Sequence, residues 1–148
     1  MNECPYIVFS RRKGQLLNVI GEKTTEQHME ATIEKLSEKA DVEITDWCVH
    51  ICTDTYPNYY ELLLENKDNI DLTKYSDDAQ EILKVVNERY KDLCRTEIGH
   101  LRILNLKYGT QAEWTDLRIK SGASISQIKP IRILDNEMKE KFFMERVI

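Results

Sequence analysis

The spacing of hydrophobic positions changes several times along the chain, and each spacing predicts a different element. Short apolar runs at residues 6–9 and 16–20, separated by a basic turn, predict two strands. Apolar residues then recur at helical spacing, which predicts a helix over residues 25–39. Thr24 and Gln27 have the spacing of a capping box, so we expect them to begin this helix.

The middle of the chain alternates between strand and helix patterns. Residues 42–54 and 59–65 are rich in β-branched, aromatic and leucine residues, and the turn between them predicts an antiparallel hairpin. Ser76 precedes two aspartates and an apolar stripe, which predicts one helix reaching about residue 95. Residues 101–107 predict a further strand.

The last third of the chain continues this alternation. Thr110 and Glu113 form a second predicted capping box, which begins a helix that ends at Gly122. A polar loop follows, then a brief strand at residues 131–134 and a helix at residues 136–146. The order of elements predicts an α+β fold, with a mixed or antiparallel β-sheet packed with helices. We expect one domain over residues 1–148, beginning with a hairpin and turn at residues 1–23.

The composition excludes several classes of protein. The chain has 148 residues, with 21 Lys and Arg against 26 Asp and Glu, and this net charge of −5 gives no general attraction to nucleic acid or anionic membrane. No apolar run approaches the roughly 18–20 residues of a membrane span, and the N-terminus lacks a signal-peptide pattern. We expect a cytoplasmic protein that binds neither nucleic acid nor membrane, with free cysteines.

Cysteine and histidine patterns predict no metal site. Cys48 and Cys52 are four residues apart in a predicted strand and are expected on one face, with His50 on the opposite face. That arrangement does not favour a zinc site. We expect His28 to be an exposed side chain on a helix among glutamates, and we expect no catalytic role for His28, His50 or His100.

Two short basic segments could instead bind an anion. In the first, Gly21 and Lys23 lie where a strand end leads directly into a helix N-terminus. In the second, a small polar loop that starts at Gly122 ends in Lys129 and Pro130. Because this loop joins a predicted helix to a predicted strand and Pro130 favours extended backbone at Lys129, we expect the Lys129 side chain to be exposed. Ordinary turn chemistry is the alternative at both places.

Four segments of the chain resemble a known family. They are FSRRKGQLLNVIGEKTTEQHMEATI, YPNYYELLLE, IGHLRILNLKYGT and GASISQIKPIRIL, in that order. Together they resemble the C-terminal portion of the auxin-responsive Gretchen Hagen acyl acid amido synthetases, which belong to the adenylate-forming superfamily. The resemblance covers nearly the whole chain, and the last segment is its most specific part.

The resemblance implies a fold and a function. It implies a small C-terminal lid domain that closes over a large N-terminal adenylation domain, which is missing from this chain. The full-length enzyme would use ATP and Mg²⁺ to adenylate a carboxylic acid, and an amino acid would then attack to form an amide. The isolated domain is expected to be inactive and to hold no cofactor.

The resemblance also implies roles for five basic residues. Lys129 matches the lysine that approaches the ATP phosphates when the lid closes, and Lys23 matches a lysine near the nucleotide. Arg11, Arg12 and Lys13 match the basic hinge between the domains. The family pattern has a spacer before the proline of the last segment that this chain lacks. The plant-type pattern also has a histidine before the tyrosine of the YYELLLE strand, where this chain has Asn58 or Tyr59, and a tryptophan at the end of that strand, and both are absent here. These departures imply a bacterial-type member.

Two other classes of protein remain open at this point. One is a stand-alone, non-catalytic binding module that retains the lid fold. The other is an unrelated α+β regulatory domain.

Overall fold

The computed structural model describes residues 15–17, 24–52, 58–94, 98–124 and 129–148. The helices are α1 (Glu26–Ala40), α2 (Ser76–Val86), α3 (Glu88–Cys94), α4 (Thr110–Lys120) and α5 (Glu137–Met144), with a 3-10 turn at Thr73–Tyr75. The strands are β1 (Gln15–Leu17), β2 (Thr24–Thr25), β3 (Ile44–Cys52), β4 (Asn58–Asn66) and β5 (Ile98–Leu106). The strand expected at residues 6–9 and the turn expected at residues 10–14 lie outside the described residues.

The main sheet is mixed, and β4 is its central strand. β3 pairs with β4 in antiparallel register, with Val49 opposite Leu62. β5 pairs with β4 in parallel register, with Ile103 opposite Leu62. The predicted hairpin and the predicted mixed sheet packed with helices are therefore both confirmed. β1 and β2 form a separate antiparallel pair before α1.

The sheet buries apolar side chains on both faces. Alternate residues of β4 point to opposite faces, so that Leu62 contributes to one core and Leu63 to the other. The first core includes Met29 and Leu36 of α1 and Leu83 of α2. The second core is built with Trp114 of α4 and Phe143 of α5. Within the described part of the chain, no helix is long and apolar enough to span a membrane.

The cap of α1 lies one residue later than the pattern suggested. The hydroxyl of Thr25 accepts the backbone N–H of His28 at 3.1 Å, and Nδ1 of His28 accepts the N–H of Thr25 at 3.1 Å. The prediction of Thr24 with Gln27 is therefore wrong. The expectation that His28 is simply an exposed side chain is also wrong, because its ring is half-buried and closes the cap. Thr24 is instead buried in β2, where its hydroxyl accepts a hydrogen bond from the side chain of Asn87 at 3.0 Å.

The helix predicted from Ser76 to about residue 95 is two helices, α2 and α3. The break is at Asn87, whose φ of −134° and ψ of 96° are extended. Its Oδ1 accepts the N–H of Tyr90 at 3.3 Å, which makes it the cap of α3. Ser76 does not cap α2, because its hydroxyl donates to the carbonyl of Thr73 at 2.7 Å.

Two further elements are shorter than predicted. Residues 131–134 form only one bridge, between Ile133 and Val49, rather than a strand with its own ladder. The terminal helix begins after Asn136, whose side chain accepts the N–H of Lys139 at 2.9 Å. It ends at Met144 instead of residue 146.

Candidate functional site

A buried carboxylate from the central strand holds the beginning of α4. The Oε1 atom of Glu65 accepts the N–H of Gly109 at 2.8 Å, and its Oε2 accepts the N–H of Gln111 at 3.0 Å. Glu65 is 2% exposed, and this burial raises the pKa of its carboxyl group while the backbone hydrogen bonds oppose the rise. Glu65 therefore satisfies N–H groups that a local N-cap would otherwise bind.

The predicted capping box of α4 is wrong for this reason. The Thr110 hydroxyl donates to the carbonyl of Lys107 at 2.6 Å. The carboxylate of Glu113 faces outward and pairs with Arg146 at 2.7 Å. Gly109, at a φ of 94°, takes the N-cap position in a backbone region that favours glycine.

The side chain of Gln111 binds both backbone groups of Ile131. Its Oε1 accepts the N–H of Ile131 at 3.1 Å, and its Nε2 donates to the carbonyl of Ile131 at 2.7 Å. The same Nε2 lies 3.4 Å from the carbonyl oxygen of Trp47. This interaction, which sequence reasoning missed, fixes the segment that follows Lys129 and Pro130.

Arg132 attaches the same segment to β3. Its Nη1 donates to the Asp46 carboxylate at 2.6 Å and to the carbonyl of Trp47 at 2.7 Å. The guanidinium lies 4.5 Å from the centre of the Trp47 ring, which is cation–π distance. The backbone adds two bonds, from Val49 N–H to the Arg132 carbonyl at 2.8 Å and from Leu134 N–H to the Val49 carbonyl at 2.9 Å.

Lys129 lies at the edge of a basic cleft of about 330 Å³. Lys129 is exposed, as Pro130 predicted. The cleft also receives Arg118 from α4 and Lys139 from α5, and none of its described lining residues is acidic. Lys139 has a carboxylate partner outside the lining, Asp135, at 2.9 Å. Three cations on one concave surface favour an anion.

A larger cleft, of about 520 Å³, has the opposite charge. Five carboxylates line it, along α1 and the turn after it, and they face a single guanidinium, Arg132. Such a lining repels phosphate. The smaller basic cleft is therefore the candidate site.

The other predicted site residues cannot be placed. Lys23 and the hinge residues Arg11, Arg12 and Lys13 lie outside the described residues, as does the stretch 125–128 of the loop before Lys129. Their predicted roles stay predictions.

A second polar cluster links β3, β4, β5 and α5. Nδ1 of His50 lies 2.8 Å from Oε1 of Glu61, and Nε2 of His50 lies 3.5 Å from the carboxylate of Glu140. Oε2 of Glu61 accepts a hydrogen bond from Nε of Arg102 at 3.0 Å. The hydrogen bond between His50 and Glu61 is the main cause that raises the pKa of His50 and lowers the pKa of Glu61.

The contacts of His50 correct its predicted face. Residues i and i+2 of a strand share a face, so His50 lies on the same face as Cys48, toward α5. Burial raises the pKa of the Cys48 thiol well above its ordinary value. No group of three or more metal-binding side chains occurs among the described residues.

The sequence matches the family described as "GH3 family C-terminal domain" over residues 23–138. The match spans well over half of the chain and includes Lys129 and Arg118, whereas Lys139 of the basic cleft lies one residue beyond it. The chain belongs to this family.

The similar proteins are amido synthetases. The probable indole-3-acetic acid-amido synthetase GH3.1 of Arabidopsis thaliana is 29% identical over 146 residues, which cover 90% of this chain and 25% of that protein. The indole-3-acetic acid-amido synthetase GH3.3 of the same plant is 30% identical over 139 residues, which cover 86% of this chain and 23% of that protein. The chain thus spans about a quarter of the length of these relatives. Both are plant proteins and do not support the expected bacterial type.

A solved structure shows the same fold. The GH3.15 acyl acid amido synthetase superposes with a TM-score of 0.76 at 21% sequence identity, over 93% of this chain and 27% of that one. This similarity confirms the α+β fold expected for the lid domain.

Proposed function

We propose that this chain is the C-terminal lid domain of an ATP-dependent acyl-adenylate-forming ligase that conjugates a carboxylic acid to an amino acid. The family match over residues 23–138 carries the proposal. The matched relatives are named as amido synthetases, and their greater length is consistent with an N-terminal adenylation domain as the partner of this one. Its substrates would be ATP, a carboxylic acid and an amino acid.

Lys129 is the proposed catalytic residue. Adenylation places developing negative charge on the phosphates, and a lysine delivered by lid closure stabilises that charge in the closed state. The exposure of Lys129 and its position beside Arg118 and Lys139 support this role. Lys23 near the nucleotide, and Arg11, Arg12 and Lys13 at the hinge, complete the proposal.

The described residues fit a phosphate better than a metal ion. The basic cleft offers ammonium and guanidinium groups, and no set of three carboxylate, histidine or cysteine side chains is placed to hold a metal in the described ranges. Mg²⁺ in the full-length enzyme would therefore bind through the ATP phosphates and through groups outside these residues. We also propose a cytoplasmic location, where thiols such as those of Cys48 and Cys52 stay free.

The test is the Lys129→Ala substitution in the longer ligase that carries this domain. Carboxylate-dependent exchange of pyrophosphate into ATP should fall by about 10²-fold, the usual cost of losing one group that stabilises transition-state charge. Lys120→Ala is the matched control, because it removes the same charge from an exposed position of α4 outside the cleft. Equal exchange rates for the two variants would contradict the role of Lys129.

The isolated chain provides a second test. We expect the 148 residues alone to catalyse no pyrophosphate exchange, because they cannot close over a second domain. Exchange above background on the purified chain would contradict the lid assignment.

A further inference from the structure

We propose that Gln111 is a positioning residue that holds Lys129 in place through the backbone of Ile131, an inference that rests on the proposed function of Lys129. A positioning residue does not touch the substrate. Its effect depends on how rigidly it connects the catalytic side chain to the rest of the fold.

The contact between Gln111 and Ile131 is the first step of this connection. One primary amide binds the N–H of Ile131 at 3.1 Å and its carbonyl at 2.7 Å, as a neighbouring strand would. It replaces the strand ladder that residues 131–134 lack, since only Ile133 forms a bridge there. The backbone two residues beyond Lys129 is thereby fixed in both directions.

Pro130 carries this restraint from Ile131 to Lys129. The ring of Pro130 fixes its own φ near −65° and biases the preceding residue toward extended backbone. Few backbone torsions therefore remain free between the fixed peptide of Ile131 and the Cα atom of Lys129. The Lys129 ammonium still moves on its own side chain, but the point from which that side chain starts is set.

Gln111 is itself held rigidly on its other side. It is 5% exposed, it lies in the first turn of α4, and its N–H donates to the buried carboxylate of Glu65 at 3.0 Å. Hydrogen bonds therefore run from the central strand, through the beginning of α4, to the Lys129 segment. Arg132 fixes the far end of that segment to β3 through Asp46 at 2.6 Å.

Gln80 provides a matched control for a purely structural role. Its Oε1 also accepts a strand N–H, that of Leu101, at 2.8 Å. It belongs to α2, which packs on the opposite face of the sheet from α4. Loss of either glutamine removes side-chain hydrogen bonds to the backbone of another segment, but of the two only Gln111 binds the segment that follows Lys129.

The experiment compares Gln111→Met, Lys129→Ala, their double variant and Gln80→Met in the longer ligase that carries this domain. Methionine keeps the length of the glutamine side chain and removes its hydrogen bonds, so we expect the variants to fold. Thermal melting of each variant checks that the fold is retained. For Gln111→Met we expect kcat of pyrophosphate exchange to fall by about 10²-fold with KM for ATP little changed, because a small misplacement can cost this much. Gln80→Met should lower the melting temperature and leave kcat unchanged.

The double variant separates positioning from an independent effect. If Gln111 acts only through Lys129, the double variant is no slower than Lys129→Ala alone. The inference would be overturned if the fold-losses of kcat in Gln111→Met and Lys129→Ala multiplied in the double variant. It would also be overturned if kcat of Gln111→Met equalled that of Gln80→Met. An unchanged rate in Lys129→Ala would instead overturn the proposed function, and with it any role for Gln111 in catalysis.

Discussion

Replacement of Glu65 by alanine tests how α4 begins. In the structure this carboxylate accepts the N–H groups of Gly109 at 2.8 Å and Gln111 at 3.0 Å from within the core. Alanine cannot accept either bond. Neither N–H group has another acceptor in its own helix, because both lie at the N-terminus.

The expected cost follows from these contacts. Two N–H groups that lose a buried partner cost about 1–3 kcal/mol each, or about 2–6 kcal/mol together. Burial of the carboxylate, which raises the pKa of Glu65, returns part of this cost when the charge is removed. We therefore expect Glu65→Ala to lower the free energy of unfolding by about 2–4 kcal/mol at pH 7.

Urea denaturation of the 148-residue chain, followed by circular dichroism, measures this loss. Glu113→Ala is the matched control on the same helix. Its carboxylate is exposed and paired only with Arg146 at 2.7 Å, so its replacement should cost much less. A loss for Glu113→Ala as large as that for Glu65→Ala would refute the reasoning and restore the local capping box of the sequence prediction.

Two further predictions concern His50 and Asn87. The raised pKa of His50 means that its pairing with Glu61 stabilises the fold fully below about pH 6.5 and that this stabilisation is lost as the pH rises through the folded pKa. Denaturation of His50→Ala should therefore show its largest loss near pH 6 and a smaller one at pH 9, and a pH-independent loss would contradict this. Asn87→Ala should lower the unfolding free energy by about 1–3 kcal/mol, because it removes the cap of α3 and the donor to the Thr24 hydroxyl. A variant as stable as the parent in urea would show that neither contact matters.

The spacing of hydrophobic residues correctly predicted the elements whose buried faces are formed by residues close together in the sequence. The helical spacing of Met29, Ile33 and Leu36 gave α1, and these residues are indeed the buried face of that helix. The apolar runs of β3 and β4 gave the hairpin at the correct place. These features follow from side chains that lie within a few residues of one another.

Contacts between distant residues explain what the pattern could not show. Thr110 and Glu113 match a capping motif, but Glu65 lies 44 residues before Gly109 and reaches the same N–H groups from the core. Gln111 binds a backbone 20 residues further along the chain, and nothing in its immediate sequence indicates this. In both cases a buried partner replaces a local or solvent-exposed one.

The sequence likewise predicted some features of the candidate site and not others. The position of Lys129 in a loop, together with Pro130, predicted its exposure, which the structure confirms, and the resemblance to a known family implied the role that we propose for it. The partners of Lys129 in the cleft, Arg118 and Lys139, come from two helices and could not be grouped with it from the sequence. The break at Asn87 did leave a signal, namely a polar amide within the stretch read as one helix.

The outer strands of the main sheet, β3 and β5, each have one edge that the sheet itself leaves unpaired. An unpaired strand edge is a template for pairing with another chain, and it leads to aggregation. Residues 132–134 bond to the edge of β3, and residues 146–148 bond to the edge of β5, with Lys107 N–H donating to the Arg146 carbonyl at 2.9 Å. The segment that follows Lys129 therefore also covers the edge of β3 around Val49, where a strand from another molecule could otherwise pair.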